Sequence, residues 1–102
     1  MNRREELSKK LHDIIGNDNV YFQPPASVRI KYPCCIYELG RGATTRANNS
    51  IYNYVNSYQL MFIYPKHNEG IIKDVLNSLT LCSFEREYIA DGLYHYVFNV
   101  YY

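Results

Sequence analysis

Leu81-Cys82-Ser83-Phe84-Glu85-Arg86-Glu87-Tyr88-Ile89 and Leu93-Tyr94-His95-Tyr96-Val97-Phe98-Asn99-Val100-Tyr101-Tyr102 decide the fold of this 102-residue chain. Both runs are rich in aromatic and β-branched residues, and Asp91-Gly92 between them is a strong short-range signal for a tight antiparallel turn. In the second run Tyr94, Tyr96, Phe98, Val100 and Tyr102 share one face, because side chains along a strand alternate. A hairpin with one tyrosine-rich face is the expectation, and that face needs a cover.

The covers are two amphipathic helices. Ile72, Val75, Leu76 and Leu79 fall at helical spacing after Pro65, with Asn68 as the expected N-cap and Glu69 in the first turn. Leu7, Leu11, Ile14 and Ile15 form a second stripe, in a helix of about fourteen residues that Gly16 ends by taking the left-handed conformation cheaply. Glu5 and Glu6 suit the amino end of that helix while Arg3 and Arg4 oppose its dipole, so its apolar stripe is expected to anchor it.

Between the helices lie the remaining strand signals. Val20-Tyr21-Phe22-Gln23 reads as a short strand stopped by Pro24-Pro25. Val28, Ile30 and Tyr32 alternate with Arg29 and Lys31 up to Pro33, an exposed extended segment or edge strand. Cys34-Cys35-Ile36-Tyr37-Glu38-Leu39 is apolar enough for a central strand buried on both sides. The longest strand runs from Ile51 to Tyr64, with Tyr52, Tyr54, Tyr58, Leu60, Phe62 and Tyr64 on one face and a polar first half that projects past the core. The expected class is α+β: a single antiparallel sheet with a mixed edge, four to five strands, and two helices packed on one face of one domain spanning residues 1–102.

Residues 40–50, Gly-Arg-Gly-Ala-Thr-Thr-Arg-Ala-Asn-Asn-Ser, contain no large apolar side chain, so nothing here offsets the entropy of ordering and a mobile loop is expected. Arg41, Thr44, Thr45, Arg46, Asn48 and Asn49 make it a candidate partner-contact loop that orders on docking. Tyr52, Tyr54, Tyr58, Arg29 and Lys31 are the candidate subunit-interface residues.

Bulk composition removes several function classes. Leu, Ile, Val and Phe supply 27 residues, sufficient for a core. A formal charge of +1 argues against a general nucleic-acid binder, whose phosphate contacts require clustered Lys and Arg. The halves differ: residues 1–50 hold eight Lys and Arg against five Asp and Glu, and residues 51–102 hold three against five. That asymmetry suits a subunit with opposite signs on two faces, and equally suits ordinary surface scatter. No stretch is long enough to span a membrane, and the charged start lacks the apolar core of a signal peptide, so a cytosolic chain is expected. Cys34, Cys35 and Cys82 are odd in number and read as reduced thiols; the first two sit in an apolar strand where burial suppresses nucleophilicity. His12, His67 and His95 show no metal-ligand spacing, and Gly40-Arg41-Gly42 lacks the lysine and the following helix of a phosphate cradle. No enzymatic activity, metal or cofactor is expected.

Twelve tyrosines and four phenylalanines without a tryptophan remain to be explained. Tyrosine can stack bases, but single-strand binders pair their aromatics with a basic groove. It is also enriched at protein interfaces, and twelve exceed what a core of this size holds, so some are expected to meet a partner.

Tyr21-Phe22-Gln23-Pro24-Pro25, Lys31-Tyr32-Pro33-Cys34 with Tyr37, Leu81-Cys82-Ser83-Phe84 and Asp91-Gly92-Leu93-Tyr94-His95 resemble the short tail terminator and head-to-tail joining proteins of long-tailed bacteriophages. The resemblance covers nearly the whole chain in size and element order. It implies a non-enzymatic virion protein of the neck, built in the bacterial cytoplasm. Such a protein forms a ring, commonly a homohexamer, that caps the tail tube, ends its polymerisation and joins tail to head. The implied partners are further copies of the chain, the major tail tube protein and a head completion or connector protein, with DNA passing through the lumen only as cargo. Other neck roles, head completion or tail completion, stay open beside it. So does a small tyrosine-rich module binding nucleic acid or peptide.

Overall fold

The structure, a computed structural model, describes residues 2–40 and 56–102. In chain order the elements are α1 (Arg3–Ile15), β1 (Val20–Phe22), β2 (Cys34–Leu39), β3 (Ser57–Tyr64), α2 (Gly70–Ser78), β4 (Cys82–Ala90) and β5 (Leu93–Tyr101). The strands form one sheet in the order β1-β2-β3-β5-β4. β1 runs parallel to β2, and every other pair is antiparallel, so the sheet is mixed at one edge. This is the expected α+β class, with five strands and two helices among the described residues.

The β4–β5 hairpin closes on Asp91 (φ 54°) and Gly92 (φ 73°), two left-handed residues whose twist matches that of the strands they join. β4 carries one residue more than β5 opposes: Phe84 pairs with Phe98 and Arg86 with Val97, so Glu85 is a bulge. The bulge resets the alternation, leaving Phe84, Glu87 and Ile89 on one face and Arg86 and Tyr88 on the other.

One face of the sheet holds the core. Cys35 and Tyr37 of β2, Tyr58, Leu60 and Phe62 of β3, and Tyr96, Phe98 and Val100 of β5 pack beneath Leu7 and Leu11 of α1 and Ile71, Val75 and Leu79 of the α2 region. α1 lies over β1 and β2, and α2 lies against β4, so the helices divide one face between them. Burying each of these leucines and isoleucines contributes about 2 kcal/mol. Phe62 and Phe98 meet edge to face at 5.8 Å between ring centroids.

α1 begins in a capping box: the Asn2 side chain accepts from Glu5 N–H at 2.8 Å, and Glu5 Oε1 accepts from Asn2 N–H at 3.0 Å. Gly16 ends it at φ 80°. α2 starts later than its sequence suggests. Asn68 is not the N-cap; Glu69 holds that position, without a side-chain cap, and the Asn68 carbonyl accepts from Ile71 N–H.

Two further expectations are corrected. Val28–Tyr32 is not an edge strand but part of the crossover that joins parallel β1 and β2. Lys31 N–H there donates to the Tyr21 hydroxyl at 3.2 Å, on the face away from the helices, and the true edge is β1. β2 is not buried on both faces throughout: Cys34, Cys35 and Tyr37 are buried, Ile36 is half-buried, and Glu38 and Leu39 are exposed. β3 begins at Ser57; the projecting start expected for Ile51–Val55 lies outside the described residues, as does the loop after Gly40.

Candidate functional site

Ten of the twelve tyrosines are described, and their positions define what the surface offers. Tyr37, Tyr58 and Tyr96 are buried. Tyr21, Tyr64, Tyr88, Tyr94 and Tyr102 are half-buried, and only Tyr32 and Tyr101 among the ten are exposed, at 43% and 44%. Tyr58, expected at a subunit interface, is 2% exposed and packs against Tyr37 at 6.1 Å. It shares its face with Leu60 and Phe62, the face the helices cover, so it serves the core. Arg29 and Lys31 are exposed on the crossover. Tyr52, Tyr54, Arg41, Thr44, Thr45, Arg46, Asn48 and Asn49 lie outside the described residues.

The sheet face turned from the helices carries its own cluster. The rings of Tyr88 and His95, cross-strand partners, stack at 4.6 Å with 9° between planes, and the Arg86 guanidinium lies 5.4 Å from the Tyr88 ring centre. The Tyr88 hydroxyl reaches Met61 Sδ at 3.8 Å. Next to this cluster Glu38, Gln59 and Asn99 form a polar row across β2, β3 and β5, and Asn99 donates to the Glu85 carboxylate at the bulge. With Ser57 and Tyr101 they line a shallow cavity of about 230 Å³.

On the helix side, the amino end of α1 overhangs a wider cleft of about 560 Å³ between Arg3, Arg4, Phe22, Leu39, Asn56 and Tyr58. Arg4 lies 4.5 Å over the ring of Phe22 and Arg3 4.5 Å over that of Tyr102. Such stacking holds both guanidinium groups against the sheet while leaving their charge in solvent. At the far end of the sheet His67 Nε2 stands 3.3 Å from Glu87 Oε2.

The thiols are set for packing. Burial pushes Cys34 up to about 12 and Cys82 up to about 11, and Cys35 rises well above its ordinary 9.0, so all three are protonated at neutral pH. Burial also lifts Tyr64 to about 12, and Tyr96 rises for the same reason. Among the described residues no group of three or more His, Cys, Asp or Glu could hold a metal ion, and no helix is long and apolar enough to cross a membrane.

The feature sequence reasoning missed is the pair of sheet edges. Among the described residues the outer sides of β1 and β4 are both unpaired, and they are unlike: three residues on one side, nine on the other. The parallel placement of β1 follows from a non-local pairing that no turn motif announces. Compared with known protein families, curated proteins and solved structures, the chain matches none.

Proposed function

We propose that the chain is a structural subunit that assembles head to tail into a ring, as the tail terminator of a long-tailed phage that caps the tail tube and joins it to the head. The observation that supports this reading is the sheet with two unlike unpaired edges. Contacts between identical patches make two-fold dimers, whereas contacts between different patches make rings or filaments. Buried, protonated thiols and aromatic rings turned to packing agree with a building block. The sequence resemblance supplies the virion context, the tube and head partners and the hexameric expectation. Head completion and tail completion are the neighbouring roles on the same reading.

Light scattering coupled to gel filtration over a concentration series, with electron microscopy of purified tail tubes, tests it. A discrete oligomer of about six subunits at tube ends is the expected outcome. A strict monomer that never decorates tubes overturns it. The nucleic-acid module is a weaker reading, because on the uncovered face Tyr88 is already flanked by His95 and Arg86, and the exposed Tyr101 lines a cavity with Glu38 and Glu85 rather than with basic side chains. Tight, salt-sensitive binding of single-stranded oligonucleotides in fluorescence polarisation would restore it.

A further inference from the structure

We infer that the outer edge of β1 in one copy adds to the outer edge of β4 in the next, past the Glu85 bulge, with Val20 opposite Ile89, Tyr21 opposite Tyr88, and Phe22 with its overlying Arg4 opposite Glu87. This rests on the ring-subunit reading and specifies its junction.

Direction comes first. β1 is parallel to β2, and each step from β2 through β3 and β5 to β4 reverses direction, so β1 and β4 run oppositely within one copy. A neighbour placed head to tail, with its helices on the same side, therefore presents β4 antiparallel to β1. Antiparallel ladders are the slightly more stable kind.

Backbone groups then fix the register. Cys35 N–H donates to the Asn19 carbonyl and Gln23 N–H to the Tyr37 carbonyl, so Tyr21 turns its backbone toward β2 while Val20 and Phe22 turn theirs outward. The Val20 N–H is held by the Asp18 carbonyl at 2.9 Å, leaving the Val20 carbonyl and both groups of Phe22 for a partner. On the other edge, a two-residue hairpin loop makes Ala90 and Leu93 the hydrogen-bonded pair, so Tyr88 faces β5 and Glu87 and Ile89 face outward. Two outward residues separated by one inward residue thus meet the same pattern.

The side chains agree with that register. Val20 and Phe22 lie on the helix face, as do Glu87 and Ile89. Ile89, at 62% the most exposed large apolar residue described, meets β-branched Val20. Tyr21 and Tyr88 share the opposite face. Arg4, held over Phe22, comes beside the Glu87 carboxylate, whose other neighbour is His67. The flanks are complementary as well. α1, the turn after it and the crossover carry six Lys and Arg against four Asp and Glu, while the segment 65–91 carries three against five.

Charge exchange tests the junction. Arg4→Glu and Glu87→Arg change exposed side chains, and each alone sets like charges against each other at every junction. Each is expected to raise the concentration for half-association at least about tenfold, with unchanged circular dichroism. An equimolar mixture of the two variants is expected to restore association. The carboxylate introduced at position 4 then meets the guanidinium introduced at position 87 at one junction, and native Arg4 meets native Glu87 at the next. Ile89→Lys gives an independent block on a side chain that the fold leaves in solvent, and it covers the case in which Glu87→Arg fails to fold. If wild type forms a discrete oligomer that the variants leave intact, or mixing does not restore association, the junction lies elsewhere and the ring reading stands. If the exchange behaves as expected but tubes are never decorated, the junction stands and the terminator role falls. A wild type that is monomeric at every concentration and on tubes overturns both.

Discussion

The backbone N–H of Asn68 donates to the hydroxyl of Tyr96 across 2.9 Å, fixing the entry to α2 to the middle of β5. Tyr96 is fully buried, so its hydroxyl is satisfied in place and the connection after β3 is tied to the sheet. Tyr96→Phe keeps the ring and removes the acceptor. It is expected to lower unfolding free energy by about 1–2 kcal/mol with an unchanged denaturant slope, as urea titration would measure.

Alkaline pH is expected to destabilise the fold. The folded chain keeps the Cys34 proton up to about 12 and the Cys82 proton up to about 11, while the unfolded thiols release theirs near 9.0. Between those values the unfolded state binds fewer protons, so stability falls as pH rises from 9.0, by at most about 1.4 kcal/mol per pH unit for each thiol. Tyr64 adds to the decline between 10.0 and about 12. Chemical denaturation below pH 9.0 and near 11 measures it, and Cys34→Ala should make the decline shallower.

The amino end of α1 depends on the reciprocal bonds between Asn2 and Glu5. Asn2→Ala is expected to cost about 1 kcal/mol. Asn2→Ser, which can rebuild the cap, is expected to recover most of that in thermal melts.

Gly40 N–H donates to the Ser57 carbonyl at 2.6 Å, so the sheet is already paired where the chain leaves β2 and where it joins β3. Replacing residues 41–49 by a short turn is expected to change stability by no more than about 1 kcal/mol, because closure entropy grows only logarithmically with loop length. On the proposed function the same deletion abolishes assembly or docking. Unimpaired joining of heads to tails would leave the segment a connecting role alone.

How far the sequence discloses the fold depends on how local each determinant is. The β4–β5 hairpin is legible because Asp91-Gly92 and the alternation after it act within a few residues, and α1 because its stripe and Gly16 do. The capping box is legible too, in Asn2 and Glu5, though the dipole argument alone passes over it. The start of α2 is not legible, because Tyr96 draws on the Asn68 N–H from another strand. Val28–Tyr32 alternates like a strand, yet among the described residues no strand pairs with it and the Tyr21 hydroxyl takes the Lys31 N–H instead. Of the candidate site, the exposure of Arg29 and Lys31 is readable. The burial of Tyr58 is implied by Leu60 and Phe62 on its own face and outweighed by the tyrosine count.

The inserted Glu85 has a consequence for solubility. Removing it would leave each cross-strand partner of β4 in place, since Phe84 already meets Phe98 and Arg86 already meets Val97. The deletion would spare the fold and straighten the margin of the molecule into one uninterrupted ribbon, the kind of template on which foreign chains accrete. Static light scattering on heating should therefore register earlier aggregation for that variant at an unchanged melting temperature. On the proposed junction, one carboxylate out of step separates a margin that recruits a chosen neighbour from one that recruits any.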